Sequence, residues 1–171
     1  MKILIIVDMQ KGFINNSNKH LIGHIENLLQ KQYFDEIFAT KFINHPASQY
    51  VKYINWEKMK RSELSEFAIN LPEKTKVIEK ETYALKDRMF SGDKFKVGKK
   101  EFSAKCSEVY IVGTDYDACV LSIGYQLFDH GFQPHFIMDC IGSAAKSSSI
   151  SKIQFMKLCE RIFGENSVIK D

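Results

Sequence analysis

The stretch "VGTDYDACVLSIGYQLFDHG", Val112 to Gly131, decides the fold. An apolar, β-branched run, "EVYIVG" from Glu108, stops at a glycine, crosses a polar turn and passes into a segment of helical period. Val120, Ile123, Gly124 and Leu127 share one helix face, and Gly131 is a C-terminal stop signal. The reading is strand, turn, helix, with Asp117 as N-cap and the lone Cys119 in the first helical turn.

Outward from that unit, similar runs recur as "KILIIV", "EIFATKF", "KVIEK" and "PHFIMD". Continuous apolar runs of this length suit strands covered on both faces, as in parallel sheets. Between them, Leu21, Ile25, Leu28 and Leu29 line one face of a first helix. Ile150, Ile153, Phe155, Met156, Leu158 and Ile162 supply the apolar positions of another, expected from about Ser149 to Phe163. Alternating strands and helices in 171 residues predict a single α/β domain with a mainly parallel sheet and right-handed crossovers. The segments from His45 to Leu71 and from Lys86 to Phe102 have weak periodicity and are read as surface excursions over a site.

Composition excludes several classes. Hydrophobic residues make up 44% and charged residues 26%, and a formal charge of +3 is too small to argue for nucleic acid. The apolar run at the N-terminus ends at Val7 and is broken by Asp8, too short for a membrane span. Cys106, Cys119, Cys140 and Cys159 form no CxxC pair, which points to reduced thiols in the cytosol. Cys106, Cys140 and Cys159 are read as packing residues.

Ligands of open α/β sheets gather beyond the carboxyl ends of the strands. Asp8, Lys80, Cys119 and Asp139 stand at such ends. A thiol at a helix N-terminus feels free N–H groups and the positive end of the helix dipole, which lower its pKa. Free cysteine is also among the most buried residue types, so a merely packed Cys119 is the alternative. Asp8 and Lys80 read singly as a strand-end carboxylate and a solvated lysine. Together the three supply a nucleophile, a proton acceptor and a charge partner.

"ILIIVDMQKGF" (Ile3–Phe13), "VIEKETYAL" (Val77–Leu85) and "VGTDYDACVLSIGYQLFDHGF" (Val112–Phe132) resemble the three catalytic segments of the isochorismatase-like cysteine hydrolases, a superfamily that includes nicotinamidase and N-carbamoylsarcosine amidohydrolase. The resemblance extends to about Ala145. It implies a three-layer sandwich around a six-stranded, mainly parallel sheet, and a triad of Asp8 as general base, Lys80 as charge partner and Cys119 as nucleophile. It further implies a thioester intermediate, a cis peptide at Thr114–Asp115, an oxyanion hole from the backbone N–H groups of Asp115 and Cys119, and a homo-oligomer, dimer or tetramer. Asp139 matches a strand-end aspartate of structural use.

Departures from the family pattern bear on substrate. Nicotinamidases carry Asp-x-His and a further His after the second strand, holding a metal. Here "TKFINHPASQY" keeps His45, but Ile43 replaces the carboxylate and no second histidine follows, so no metal and no cofactor are expected. His20 and His24, four apart on the first helix, are read as exposed. Phe13 and Trp56 are the candidate pocket lining, with Trp56 as ordinary core the alternative. Isochorismate-cleaving relatives commonly lack the cysteine, so Cys119 implies acyl chemistry.

The leading expectation is a cytoplasmic hydrolase of a small-molecule amide or related C–N bond. Nicotinamidase is the enzyme alternative, and a catalytically silent α/β binding or scaffold protein the non-enzyme one. A redox protein that uses Cys119, with Cys140 approaching it in space, is a further reading.

Overall fold

The computed structural model describes residues 1–144 and 150–170. Chain order runs β1 (Lys2–Val7), α1 (His20–Lys31), β2 (Glu36–Phe42), α2 (Gln49–Ile54) and β3 (Lys76–Lys80). It continues with β4 (Phe90–Ser91), β5 (Lys94–Val97), β6 (Lys100–Ser103), β7 (Glu108–Gly113), α3 (Leu121–Asp129), β8 (Pro134–Ile141), α4 (Lys152–Phe163) and β9 (Val168–Ile169). Six strands form one parallel sheet in the order β3-β2-β1-β7-β8-β9.

The alternation of side chains along β1 explains its unbroken apolar sequence. Ile3, Ile5 and Val7 enter one core with α3, α4 and the β4–β6 segment, whereas Leu4 and Ile6 enter the other with Leu21, Ile25 and Leu28 of α1. Both faces of the central strands are therefore covered, giving three layers. β3 differs from that expectation, because as the sheet edge it leaves Val77 half-exposed. The sixth strand, β9, is too short to stand out in sequence as an apolar run.

Two expectations about irregular regions change. Residues 86–102 contain three short antiparallel strands, β4, β5 and β6, not a loop over the site. Phe90, Phe95 and Phe102 are buried there, and Phe38 of β2 meets Phe95 and Phe102 at centroid distances of 5.8 and 5.6 Å. Phe95 between Lys94 and Lys96, and Phe102 between Glu101 and Ser103, follow a two-residue period that is hidden by the shortness of each strand. Residues 45–71 hold α2, capped by the Ser48 hydroxyl, which accepts from the Val51 N–H.

α4 begins at Lys152 with a capping box. Ser151 Oγ accepts from the Gln154 N–H and Gln154 Oε1 from the Ser151 N–H. The expected start at Ser149 lies outside the described residues. The helix buries Phe155, Cys159 and Phe163 and turns Ile153 to solvent, so its inward face is rotated from the one expected. Asp139 lies inside β8, which runs on to Ile141, and is exposed, so it does not end its strand. Cys106 is exposed and is no packing residue, whereas Cys140 and Cys159 are buried.

Candidate active site

Register brings the site together. Val7 pairs with Gly113 and Phe42 with Lys80, so the residues after β1 and β7 and at the end of β3 emerge at one edge of the sheet. Gly113 has φ 115°, and a Cβ there would lie 2.2 Å from the Val7 carbonyl oxygen, so only glycine permits this close approach. The Thr114 N–H then donates to the Val7 carbonyl at 3.0 Å.

Asp8 takes a left-handed conformation, φ 48°, rare for a residue other than glycine. Thr40 of β2 holds it from two sides: its hydroxyl accepts from the Asp8 N–H at 3.0 Å and donates to Asp8 Oδ1 at 2.6 Å. Nearby, Gln10 Nε2 donates to the Phe42 and Ser65 carbonyls at 3.0 and 2.9 Å, and its Oε1 accepts from the Phe42 N–H. The polar Thr40 inside the apolar run "EIFATKF" was the available sequence signal, and the sequence reading passed over it.

Lys80 is not the solvated strand-end lysine that it resembles when read singly. Its side chain is wholly buried, with Nζ 2.8 Å from Asp8 Oδ2, and it donates to Cys119 Sγ at 3.3 Å and to the Thr82 and Tyr83 carbonyls at 2.9 and 3.2 Å. Burial alone would lower its pKa, but Asp8 and Cys119 outweigh that and hold it above the ordinary lysine value. The contact with Asp8 Oδ2 is close yet off the hydrogen-bonding direction, and that oxygen makes no aligned hydrogen bond among the described residues.

The turn carrying Cys119 departs from the expected helix start. Tyr116–Val120 is a single π turn ahead of α3, and Asp117 lies within it instead of capping it. The Asp115 carbonyl accepts from the Val120 N–H, the i to i+5 bond of a π turn, and also from the Ala118 N–H, while the Tyr116 N–H donates to the Gly142 carbonyl. The Thr114–Asp115 peptide bond is cis. Asp115 Oδ1 accepts from the Thr114 hydroxyl and the Ala144 N–H, which partly oppose the rise in pKa that burial imposes on its carboxyl.

The expected low thiol pKa is corrected by the same geometry. Burial first, then the negative charge of Asp8, push the Cys119 thiol well above the ordinary value, against the favourable effect of Lys80. Cys140 belongs to the core on the α1 side while Cys119 belongs to the other, which removes the basis for pairing them.

A cavity of about 550 Å³ opens onto Cys119. Phe13, Phe42, Tyr50, Trp56 and Tyr83 give it an aromatic wall, with Ile54, Asp115, Ala118, Asn15 and Lys58 also in the lining. Phe13 and Trp56 stack at 6.0 Å and 14°, and Tyr50 meets Tyr83 edge-on at 5.1 Å. The Tyr50 phenol is pushed up to about 12 by burial and then by Cys119. Tyr83 had no periodic pattern to mark it in the sequence. A separate depression of about 420 Å³ between α1 and β8 holds His24 and Asp139 and lies away from Asp8, Lys80 and Cys119.

His20 and His24 are exposed on α1. His45 Nε2 lies 3.1 Å from Glu81 Oε1, both half-exposed, and Ile43 is buried. Among the described residues no three His, Cys, Asp or Glu side chains are grouped to hold a metal, and no helix is long and apolar enough to cross a membrane.

Comparison with known proteins gives a consistent family and fold. The chain is similar in structure to N-carbamoylsarcosine amidase from Thermoplasma acidophilum (17% identity, 99% of this chain and 95% of that one, TM-score 0.72). It is equally similar to the pyrazinamidase/nicotinamidase from Streptococcus mutans UA159 (17%, 99% and 100%, 0.72). Pyrazinamidase of Pyrococcus horikoshii in complex with zinc also matches (18%, 99% and 99%, 0.65). At these identities the likeness is one of fold. A search of curated proteins returns no match. The family model of the isochorismatase domain matches residues 2–163, nearly the whole chain, and the protein therefore belongs to the isochorismatase-domain family of hydrolases.

Proposed function

We propose that the chain is a single-domain cysteine hydrolase that cleaves an amide or related C–N bond of a small molecule. The observation that carries this reading is that one buried ammonium, Lys80 Nζ, touches both Asp8 Oδ2 and Cys119 Sγ, and that an aromatic cavity opens onto Cys119. A cavity of about 550 Å³ suits a small molecule.

In this mechanism Asp8 Oδ2 accepts the thiol proton as Cys119 Sγ attacks the carbonyl carbon. The electron pair of the C=O bond moves to oxygen, where the backbone N–H groups of Asp115 and Cys119 receive it. Asp8 then gives its proton to the departing nitrogen as the C–N bond breaks, leaving a thioester. Water adds to the thioester with Asp8 as base, the acid leaves and the thiol is restored. Lys80 stays charged and compensates the carboxylate and the sulfur as each becomes anionic.

Nicotinamidase is the second reading, favoured by the stacked Phe13–Trp56 wall, which suits a flat ring, and by the named neighbours. His45 and Glu81 are too few donors for a zinc site of the kind that needs three protein ligands. The residues present therefore do not fit that metal. The four cysteines, none in a disulfide, fit a reducing, cytoplasmic setting. Exposed Tyr53 and Ile54 on α2 favour a homo-oligomer, for which sedimentation velocity is the measurement.

A hydrolysis screen over amides, ureides and carbamoyl compounds, run beside Cys119→Ala, tests the activity. Release of ammonia or amine that the variant lacks is the expected result. A silent binding or scaffold protein would show no difference between the two.

A further inference from the structure

Asn44, the second residue after β2, is buried and is not in the lining of the cavity at Cys119, yet its side-chain and backbone N–H donors all reach one loop, 56–59. Its Nδ2 donates to the Trp56 carbonyl at 3.0 Å and the Lys58 carbonyl at 2.9 Å, and its backbone N–H donates to the Met59 carbonyl at 2.9 Å. Its Oδ1 accepts from the Ser48 hydroxyl at 2.6 Å, the same hydroxyl that caps α2. The Trp56 N–H in turn donates to the Tyr50 carbonyl at 2.9 Å.

The loop needs such a hold. Asn55 and Met59, at its two ends, both have left-handed backbones, φ 51° and 65°, which side-chain-bearing residues adopt only when surroundings impose it. Between them Trp56 stacks on Phe13 and meets Phe42 and Tyr50 at 5.8 and 6.2 Å, forming the cavity wall that includes none of Asp8, Lys80 or Asn44.

The structure assigns Asn44 as a positioning residue: its amide fixes the Trp56 wall against which the substrate is held beside Cys119. This rests on the hydrolase reading for its kinetic consequence, though not for its structural one. Removing the amide leaves two carbonyls without their donor and frees the loop, while the Asp8–Lys80–Cys119 contacts, made by other strands, are untouched. The effect therefore falls on substrate binding and not on the chemical step.

Trp56 is the only tryptophan of the chain, so its fluorescence reports the wall directly. The test compares wild type with Asn44→Ala and Asn44→Asp, using the amide that the wild type cleaves fastest. Asn44→Asp keeps the acceptor for Ser48 but turns a carboxylate oxygen toward two carbonyls, so it should behave as the alanine variant does. For both we expect KM to rise about tenfold with kcat within about twofold. Acrylamide quenching of Trp56 should increase, and the rate of Cys119 alkylation by iodoacetamide should stay at the wild-type value.

Unchanged KM or unchanged quenching in a folded variant overturns the assignment, as does a fall in kcat at constant KM. If neither variant melts cooperatively, Asn44 is structural and the assignment is equally overturned. Should the wild type cleave no amide in the screen, the hydrolase reading fails by itself. Quenching and alkylation rates then decide the positioning role without turnover.

Discussion

Asp8 Oδ2 and Lys80 Nζ stand 2.8 Å apart with both side chains wholly removed from solvent. An ion pair so placed is costly to break from one side, because the remaining charge has no water to turn to.

Lys80→Met is therefore expected to lose about 3–5 kcal/mol of stability, since Asp8 is left buried and uncompensated. Urea denaturation of the two proteins measures it, and a loss below about 1 kcal/mol would show that the pair is solvated in solution. Hydrolysis should vanish in the same variant.

Asp8→Asn separates the two effects of the carboxylate. Its charge helps to hold the Cys119 thiol protonated, so removing it while Lys80 remains lowers the thiol pKa. Alkylation by iodoacetamide at neutral pH should become faster than in wild type while hydrolysis, which needs the proton acceptor, is lost. Slower alkylation in the variant would contradict the reading that the Asp8 charge raises the thiol pKa.

Stability should fall as pH rises above the ordinary thiol value of 9.0. Cys119 has a raised pKa in the folded state, so above that value the unfolded chain has lost a proton that the folded one keeps, which favours unfolding. Lys80 is also raised: its stabilising contribution is fully present below the ordinary 10.5 and is lost as pH climbs through the folded value. Denaturation midpoints across pH 7–11 test this, with Cys119→Ala expected to remove the first part of the decline.

Gly113→Ala should destabilise the fold by more than about 1 kcal/mol, because the residue has φ 115° and the new methyl group would meet the Val7 backbone. Thermal melting measures the loss. Because the clash is where β1 and β7 close, the fraction that stays folded should also hydrolyse more slowly.

Much of this molecule was legible in one dimension. Runs such as "KILIIV" and "EVYIVG" are apolar at every position because both faces of a central parallel strand are covered, and their bounds match β1 and β7. Asp8 and Lys80 could be picked out because register-matched parallel strands present their carboxyl ends at one edge. The β4–β6 segment and the inward face of α4 were harder to read. Strands of two to four residues show too little period, and Ile153 is as apolar as the residues that α4 buries.

Sequence by itself determined the sheet order's ingredients, the three segments that meet at the site and the identity of the thiol. Only the tertiary structure decided the direction in which the pKa of that thiol moves, because burial and the Asp8 charge from another strand push it up whatever the local helix start. It likewise decided the pocket wall. Asn44, Tyr50, Trp56 and Tyr83 have no common spacing, and hydrogen bonds and ring contacts between distant segments alone bring them together.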